Sequence, residues 1–135
     1  RLKFQQAGVL AKVIVEDNLP LVEGNPGQIQ QVFLNLILNA IQAMPSGGNL
    51  DIKVGVDSSA PTKMVVMKIA DTGSGIPQEI QNKIFESFFT SREDGTGLGL
   101  AIVKRILRDH RGDIIVESTG KTGTVFKLWV PVSQA

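Results

Sequence analysis

The sequence predicts an α+β domain, a two-layer α/β sandwich in which a mixed sheet of about five strands carries three helices on one face. Three observations lead there. Two long segments repeat apolar residues at three- and four-residue steps, the spacing of helices that bury one side. Short β-branched runs surround them, and four of these runs fall into two adjacent pairs. The order is strand, helix, strand pair, loop-rich stretch, helix, strand pair, which is not the strict alternation of a parallel, doubly wound sheet.

Each element has a local reason. "VLAKVIVED" (9–17) is short, β-branched and roughly alternating, as a strand requires. Pro20, Gly24 and Pro26 break the chain after it. From Pro26 to Met44 the residues Ile29, Val32, Phe33, Leu36, Ile37 and Ala40 keep helical spacing, with Asn25 as the cap and Pro26 at the first helical position. "NLDIKVGVD" (49–57) puts Leu50, Ile52, Val54 and Val56 on one face, and "KMVVMKIAD" (63–71), richer in apolar residues, reads as its central hairpin partner. "PQEIQNKIFESFF" (77–89) allows a short helix, and "TSREDGTG" (90–97) has no periodic core signal and reads as a mobile loop. "LGLAIVKRILRDH" (98–110) is amphipathic and ends at Gly112, and "DIIVEST" and "TVFKLWVPV" close the chain as a strand pair around "GKTG".

Composition excludes several classes of function. The 135 residues fit a single domain, and the start at "RLKFQQAG" reads as a piece of a longer protein with residues 1–8 left from an upstream linker. A formal net charge of +1 gives no broad field for nucleic acid or an acidic membrane. No cysteine is present, so neither a disulfide framework nor a thiolate metal site is possible, and a reducing cytoplasm fits. His110 is the one histidine, so a histidine-rich metal site is excluded too; it reads as a solvent-exposed residue near a helix end. No signal peptide and no apolar run long enough to span a bilayer occurs.

Three clusters carry the chemistry. "EDGTGLGLAIVKRI" sets Gly95, Gly97 and Gly99 before a helix whose first amides lack intrahelical partners, which is either a phosphate cradle or a flexible entry loop. The spacing fits neither the dinucleotide fingerprint nor a Walker A loop. In "IADTGSGIP", Asp71 ends an apolar strand and could accept from an exocyclic amine such as that of adenine, or simply cap a turn. In "QQVFLNLILNA", Gln28, Asn35, Asn39 and Gln42 share one narrow helical stripe. Their amide oxygens suit Mg²⁺, and they could equally hydrogen-bond a neighbouring loop.

Taken together and in order, "NLILNA", "DTGSGIP", "FESFFTS", "GTGLGLAIVKRI" and "GTVFKLWVP" resemble the catalytic, ATP-binding domain of bacterial sensor histidine kinases, from about Val9 to Val132. That domain is similar to those of DNA gyrase B, Hsp90 and MutL, and the resemblance implies a Bergerat-type ATP-binding fold. It implies Asn39 as the Mg²⁺ ligand with Asn35 beside it on metal or phosphate, and Asp71 on the adenine amino group. Gly73, Gly75 and Ile76 would shape the adenine pocket. Phe85, Phe88 and Phe89 match a phenylalanine-rich box, any one ring of which could serve core packing instead. Thr90, Gly95, Thr96, Gly97, Leu98, Gly99 and Leu100 would surround the triphosphate, Arg92 would reach the γ-phosphate, and Thr124 matches the last nucleotide-site motif. Many relatives carry Lys or Arg at the position of Gln42 and an aromatic at Ala43, so the cationic contact here falls to Arg92, with Lys104 as second candidate.

The same resemblance separates transfer from hydrolysis. Hydrolysing members place a glutamate four residues before the metal-binding asparagine, where it can act as general base on water. Here that position is Asn35, which cannot. The expected activity is transfer from Mg-ATP to a histidine on a separate dimerisation domain of the same parent, with a response regulator downstream. His110 is followed by Arg111 and lacks the acidic residue expected after an acceptor histidine. The other readings are a nucleotide-dependent binding module and an ATPase without transfer. The implied setting is a cytoplasmic domain, monomeric alone and homodimeric in its parent, with ATP or ADP as ligand and no nucleic acid or direct membrane contact, whether or not the parent is membrane-anchored.

Overall fold

The computed structural model describes residues 8–17, 24–59, 62–86 and 99–132. Five strands, β1 (Val9–Val15), β2 (Gly48–Asp57), β3 (Met64–Asp71), β4 (Asp113–Gly120) and β5 (Gly123–Pro131), form one sheet in the order β1-β2-β3-β5-β4. β1 runs parallel to β2, which the crossover through helix α1 (Pro26–Gln42) permits, and every other pair is antiparallel. β3 is central, as its apolar composition predicts.

Cross-strand register explains where the core sits. Ile52, Ile69, Phe126 and Val116 form one row across β2, β3, β5 and β4, and Val54, Met67, Leu128 and Ile114 form the next. These rows face α1, which contributes Val32, Leu36 and Ala40, and helix α2 (Gly99–Asp109), which contributes Val103, Ile106 and Leu107. Each of the Val, Leu and Ile side chains among them, fully removed from water, is worth about 1.5–3 kcal/mol. The helix ends follow the predicted caps. The Asn25 side chain accepts from Gln28 N–H at 3.1 Å with Pro26 at the first helical position. At the other end of α2, Arg111 adopts φ 66°, and Gly112 N–H returns to Leu107 C=O at 2.7 Å.

The predicted third helix is the main departure. Residues Gln78–Ile80 form a single 3₁₀ turn, and the described residues contain two α-helices. Its bonds, Ile80 to Pro77, Lys83 to Ile80 and Glu86 to Lys83, all span three residues. Pro77 provides no side-chain cap, and a segment this short forms a regular helix only when packing supports it. Ile84 is instead drawn into the core and Phe85 against it.

Candidate functional site

The core face of the sheet ends in a polar row. One step beyond Ile69 and Phe126, the register places Asp71 opposite Thr124, and Thr124 opposite Thr119. Asp71 and Thr124 are the buried polar residues of the described chain, at 6% and 4% exposure. A carboxylate so placed needs hydrogen bonds, and Asp71 Oδ1 accepts from Gly73 N–H at 2.8 Å. The Thr124 and Thr119 hydroxyls lie 2.8 Å apart, and Thr119 Oγ1 accepts from Ile76 N–H at 2.9 Å. A bulge between Val116 and Ser118 produces this arrangement, because the slipped register brings Thr119 opposite Thr124.

The loop after β3 is clamped on two sides. Gly73 lies directly against the Ala43 carbonyl at the end of α1, and Ser74 N–H donates to that same oxygen at 3.3 Å. Gly75 has φ +82°, and a Cβ there would fall on the Gly120 carbonyl oxygen, so the turn requires glycine twice over. Gln81 Nε2 donates to Ile76 C=O at 3.1 Å and holds the far side of the loop. Thr72 Oγ1 accepts from Asn49 N–H at 3.0 Å, tying the loop to β2.

The asparagine stripe leads from this loop toward the start of α2. Asn35 is half-buried, and its Nδ2 donates to the Gly99 carbonyl at 3.1 Å while its Oδ1 accepts from Gln31 Nε2 at 3.1 Å. Asn39, one turn on, is half-buried, and Gln42 is exposed at the helix end. At 1.5 Å per residue, the rise from Asn35 to Ala43 is about 12 Å. One helix face therefore connects the end of the glycine run with the Asp71 loop. Among the described residues no group of three or more His, Cys, Asp or Glu side chains could hold a metal ion. A hydrated Mg²⁺ that takes phosphate oxygens and one carboxamide fits such a donor set, and a metal needing an all-protein cage does not.

Leu100 packs against the core from the first turn of α2, and Gly99 opens that helix half-buried. Phe85 stands edge-on to Phe126, with ring centroids 6.3 Å apart and planes at 78°. The Lys104 ammonium lies 5.0 Å from the centre of the Phe85 ring and 3.0 Å from Asp113 Oδ1. Partial burial pushes the Asp113 carboxyl up, but the Ile114 N–H and Lys104 outweigh it and hold it below the ordinary carboxylate value. Phe88, Phe89, Thr90, Arg92, Gly95, Thr96, Gly97 and Leu98 lie outside the described residues.

Two residues gain roles that their local sequence did not signal. Thr119 joins the site only through the bulge. His110 is half-buried rather than exposed, because Nε2 accepts from Asn25 N–H at 3.1 Å and Nδ1 pairs with Ile106 C=O at 2.8 Å. These two contacts tie the cap of α1 to the last turn of α2.

A buried carboxylate in a polar row, a glycine-clamped loop and a carboxamide stripe are features of a nucleotide-binding domain. Residues 24–134 match the family described as Histidine kinase-, DNA gyrase B-, and HSP90-like ATPase, and the chain belongs to that family. Sporulation kinase A of Bacillus subtilis is 39% identical over 124 residues, which cover 92% of this chain and 20% of that protein. Sensor histidine kinase ZraS of Salmonella typhimurium is 35% identical over 128 residues, 95% of this chain and 27% of that protein. The chain therefore spans about a fifth to a quarter of the length of these curated relatives. Among solved structures, the catalytic domain of histidine kinase ThkA superposes with a TM-score of 0.81 at 32% identity, covering 97% of this chain and 85% of that one. Full-length ShkA in complex with AMPPNP gives a TM-score of 0.83 at 28% identity, covering 99% of this chain and 28% of that one.

Proposed function

We propose that this domain binds Mg-ATP and transfers the γ-phosphoryl group to a histidine on a separate dimerisation domain of its parent protein. The observation that carries transfer over hydrolysis is the Asn35 amide donating to Gly99 C=O at 3.1 Å. This position, four residues before Asn39, is built as a donor, and a carboxylate base there would face a carbonyl oxygen. The site then positions ATP without a group that activates water, and an external imidazole is already nucleophilic at neutral pH.

In this reading Asp71 accepts from the adenine amino group, with Gly73, Gly75, Ile76 and Thr124 forming the surrounding wall and Phe85 nearby. Gly99 and Leu100, with the preceding residues Thr90, Gly95, Thr96, Gly97 and Leu98, flank the phosphates, and Arg92 meets the γ-phosphate. Asn39, assisted by Asn35, and Gln42 face the phosphate side, where Mg²⁺ would neutralise charge on the phosphate oxygens. A response regulator receives the phosphoryl group downstream, in the cytoplasm, from a parent that acts as a homodimer. The described residues contain no helix long and apolar enough to cross a membrane.

The test adds labelled ATP to this domain and a separately made acceptor domain. Acid-labile, base-stable label on the acceptor's histidine is expected. Free phosphate without labelled protein would make the domain an ATPase, and bound but unconsumed ATP would make it a binding module.

A further inference from the structure

We infer that Thr119 is a positioning residue for the base, holding the Ile76 wall and the Thr124 hydroxyl of the nucleotide site through one side-chain oxygen. The inference rests on the ATP reading above and deepens it. Thr119 Oγ1 accepts from Ile76 N–H at 2.9 Å and lies 2.8 Å from Thr124 Oγ1. Both side-chain bonds therefore end on residues that the ATP reading gives to the base. The Ile76 peptide is held from its other side as well, because Gln81 Nε2 donates to its carbonyl at 3.1 Å. With N–H and C=O both engaged, the backbone at Ile76 cannot turn without breaking a bond, and its side chain packs against the core.

The local fold explains why this residue has the role and its neighbour does not. Val116 pairs with Phe126, so in an unbroken ladder Ser118 would stand opposite Thr124; the bulge between Val116 and Ser118 moves Thr119 there instead. Thr124 on β5 lies between Thr119 on β4 and Asp71 on β3, and the three form one row. Gly120, next to Thr119, sets its carbonyl against Gly75, so the loop that carries Ile76 rests on the end of β4. A hydroxyl has one proton and two lone pairs. One lone pair of Thr119 takes the Ile76 N–H, and the remaining capacity restrains the rotation of the Thr124 hydroxyl. Thr124 is 4% exposed, so its hydroxyl needs a protein partner to orient it. Thr119 is half-buried, and Thr119→Val removes the bonds while keeping the shape of the side chain.

The experiment is calorimetric titration of ATP and of adenosine into the parent domain, Thr119→Val, Thr119→Ser, Thr124→Val and the Thr119→Val/Thr124→Val double variant. Positioning of the base predicts that Thr119→Val weakens ATP and adenosine by the same factor, about three- to tenfold, the worth of a neutral hydrogen bond. Thr119→Ser, which keeps the hydroxyl, should lose less than about twofold for either ligand. The double variant should lose less than the product of the two single losses, because Thr119 acts partly through Thr124. Should Thr119→Val not fold, Thr119→Ala takes its place with the same expected losses. A loss confined to ATP would place Thr119 on the phosphate side. Unchanged affinities with a lowered thermal midpoint, or loss of folding in both Thr119→Val and Thr119→Ala, would reduce it to a fold staple. A serine variant as weak as the valine would assign the effect to the methyl group, and fully multiplicative losses would separate Thr119 from Thr124. If the parent domain binds no ATP, the ATP reading falls and the inference with it; parental binding with any of the contrary variant results overturns the inference alone.

Discussion

The two ends of the site are built differently. At the Asp71 end the backbone does most of the work: strand register, a bulge and a glycine turn place Asp71, Thr119 and Thr124, and Ala43 and Gly120 press on the loop from both sides. At the Asn35 end, side chains reach between helices, and one amide-to-carbonyl bond joins α1 to α2. The first end has little freedom to adjust, and the second depends on helices keeping their spacing. In the proposed reading the rigid floor would receive a flat base and the adjustable rim would receive phosphates and metal.

The contrast can be broken most forcefully at the rigid end. Gly75→Ala must place a side chain at φ +82° and against the Gly120 carbonyl. We expect it to cost about 3 kcal/mol, lowering the thermal midpoint by about 10 °C. A midpoint within 2 °C of the parent would show that the loop is adjustable after all; a threshold of about half a kcal/mol applies at this chain length. At the other end, Asn35→Asp sets a carboxylate against the Gly99 carbonyl and should cost about 2 kcal/mol in denaturant titration, against about 1 kcal/mol for Asn35→Ala. Equal losses for the two variants would mean that the donor character of this position is immaterial.

Asn39→Ala sharpens the comparison without disturbing the fold. ATP affinity in the presence of Mg²⁺ should fall about tenfold, or ~1.4 kcal/mol, and its dependence on Mg²⁺ should vanish. Adenosine should bind as before, and a variant that retains the Mg²⁺ effect moves the metal to another residue. The smallest effect is in pH. The Asp113 carboxyl is held below the ordinary carboxylate value, so its contribution is fully present above that value and is lost as pH falls through the lower folded value. Asp113→Asn should therefore flatten the acid limb of the stability profile by no more than about 1 kcal/mol, as expected for a partly exposed pair. An unchanged limb would remove the ion pair from the account of α2 and β4.

What was legible in the sequence follows the same division. Local periodicity marked all five strands and both long helices, because each buries one face and its spacing records that face. Asn25 and Pro26 marked the start of α1 because capping is a local matter. The pairing of β1 with β2 in parallel, and the insertion of β5 between β3 and β4, are long-range and leave no local pattern. The bulge that brings Thr119 to Thr124 was invisible for the same reason, since a run such as "DIIVEST" reads as a strand with or without it. The segment after Pro77 misled in the opposite way: its sequence allows a short helix, and tertiary packing of Ile84 and Phe85 leaves a single 3₁₀ turn at Gln78–Ile80. The exposed reading of His110 failed because its partners, Asn25 N–H and Ile106 C=O, are backbone groups that no residue pattern advertises.

Asp71 is the group proposed to read the base. Asp71→Asn keeps the shape of the side chain and an oxygen for Gly73 N–H, but replaces one acceptor with a donor. Calorimetric titration with ATP should give one saturable site in the parent domain and a dissociation constant about 10- to 100-fold higher in the variant, the worth of a hydrogen bond to a charged group. Indistinguishable binding by the two proteins, each shown to be folded, would contradict the assignment of this end of the sheet to adenine.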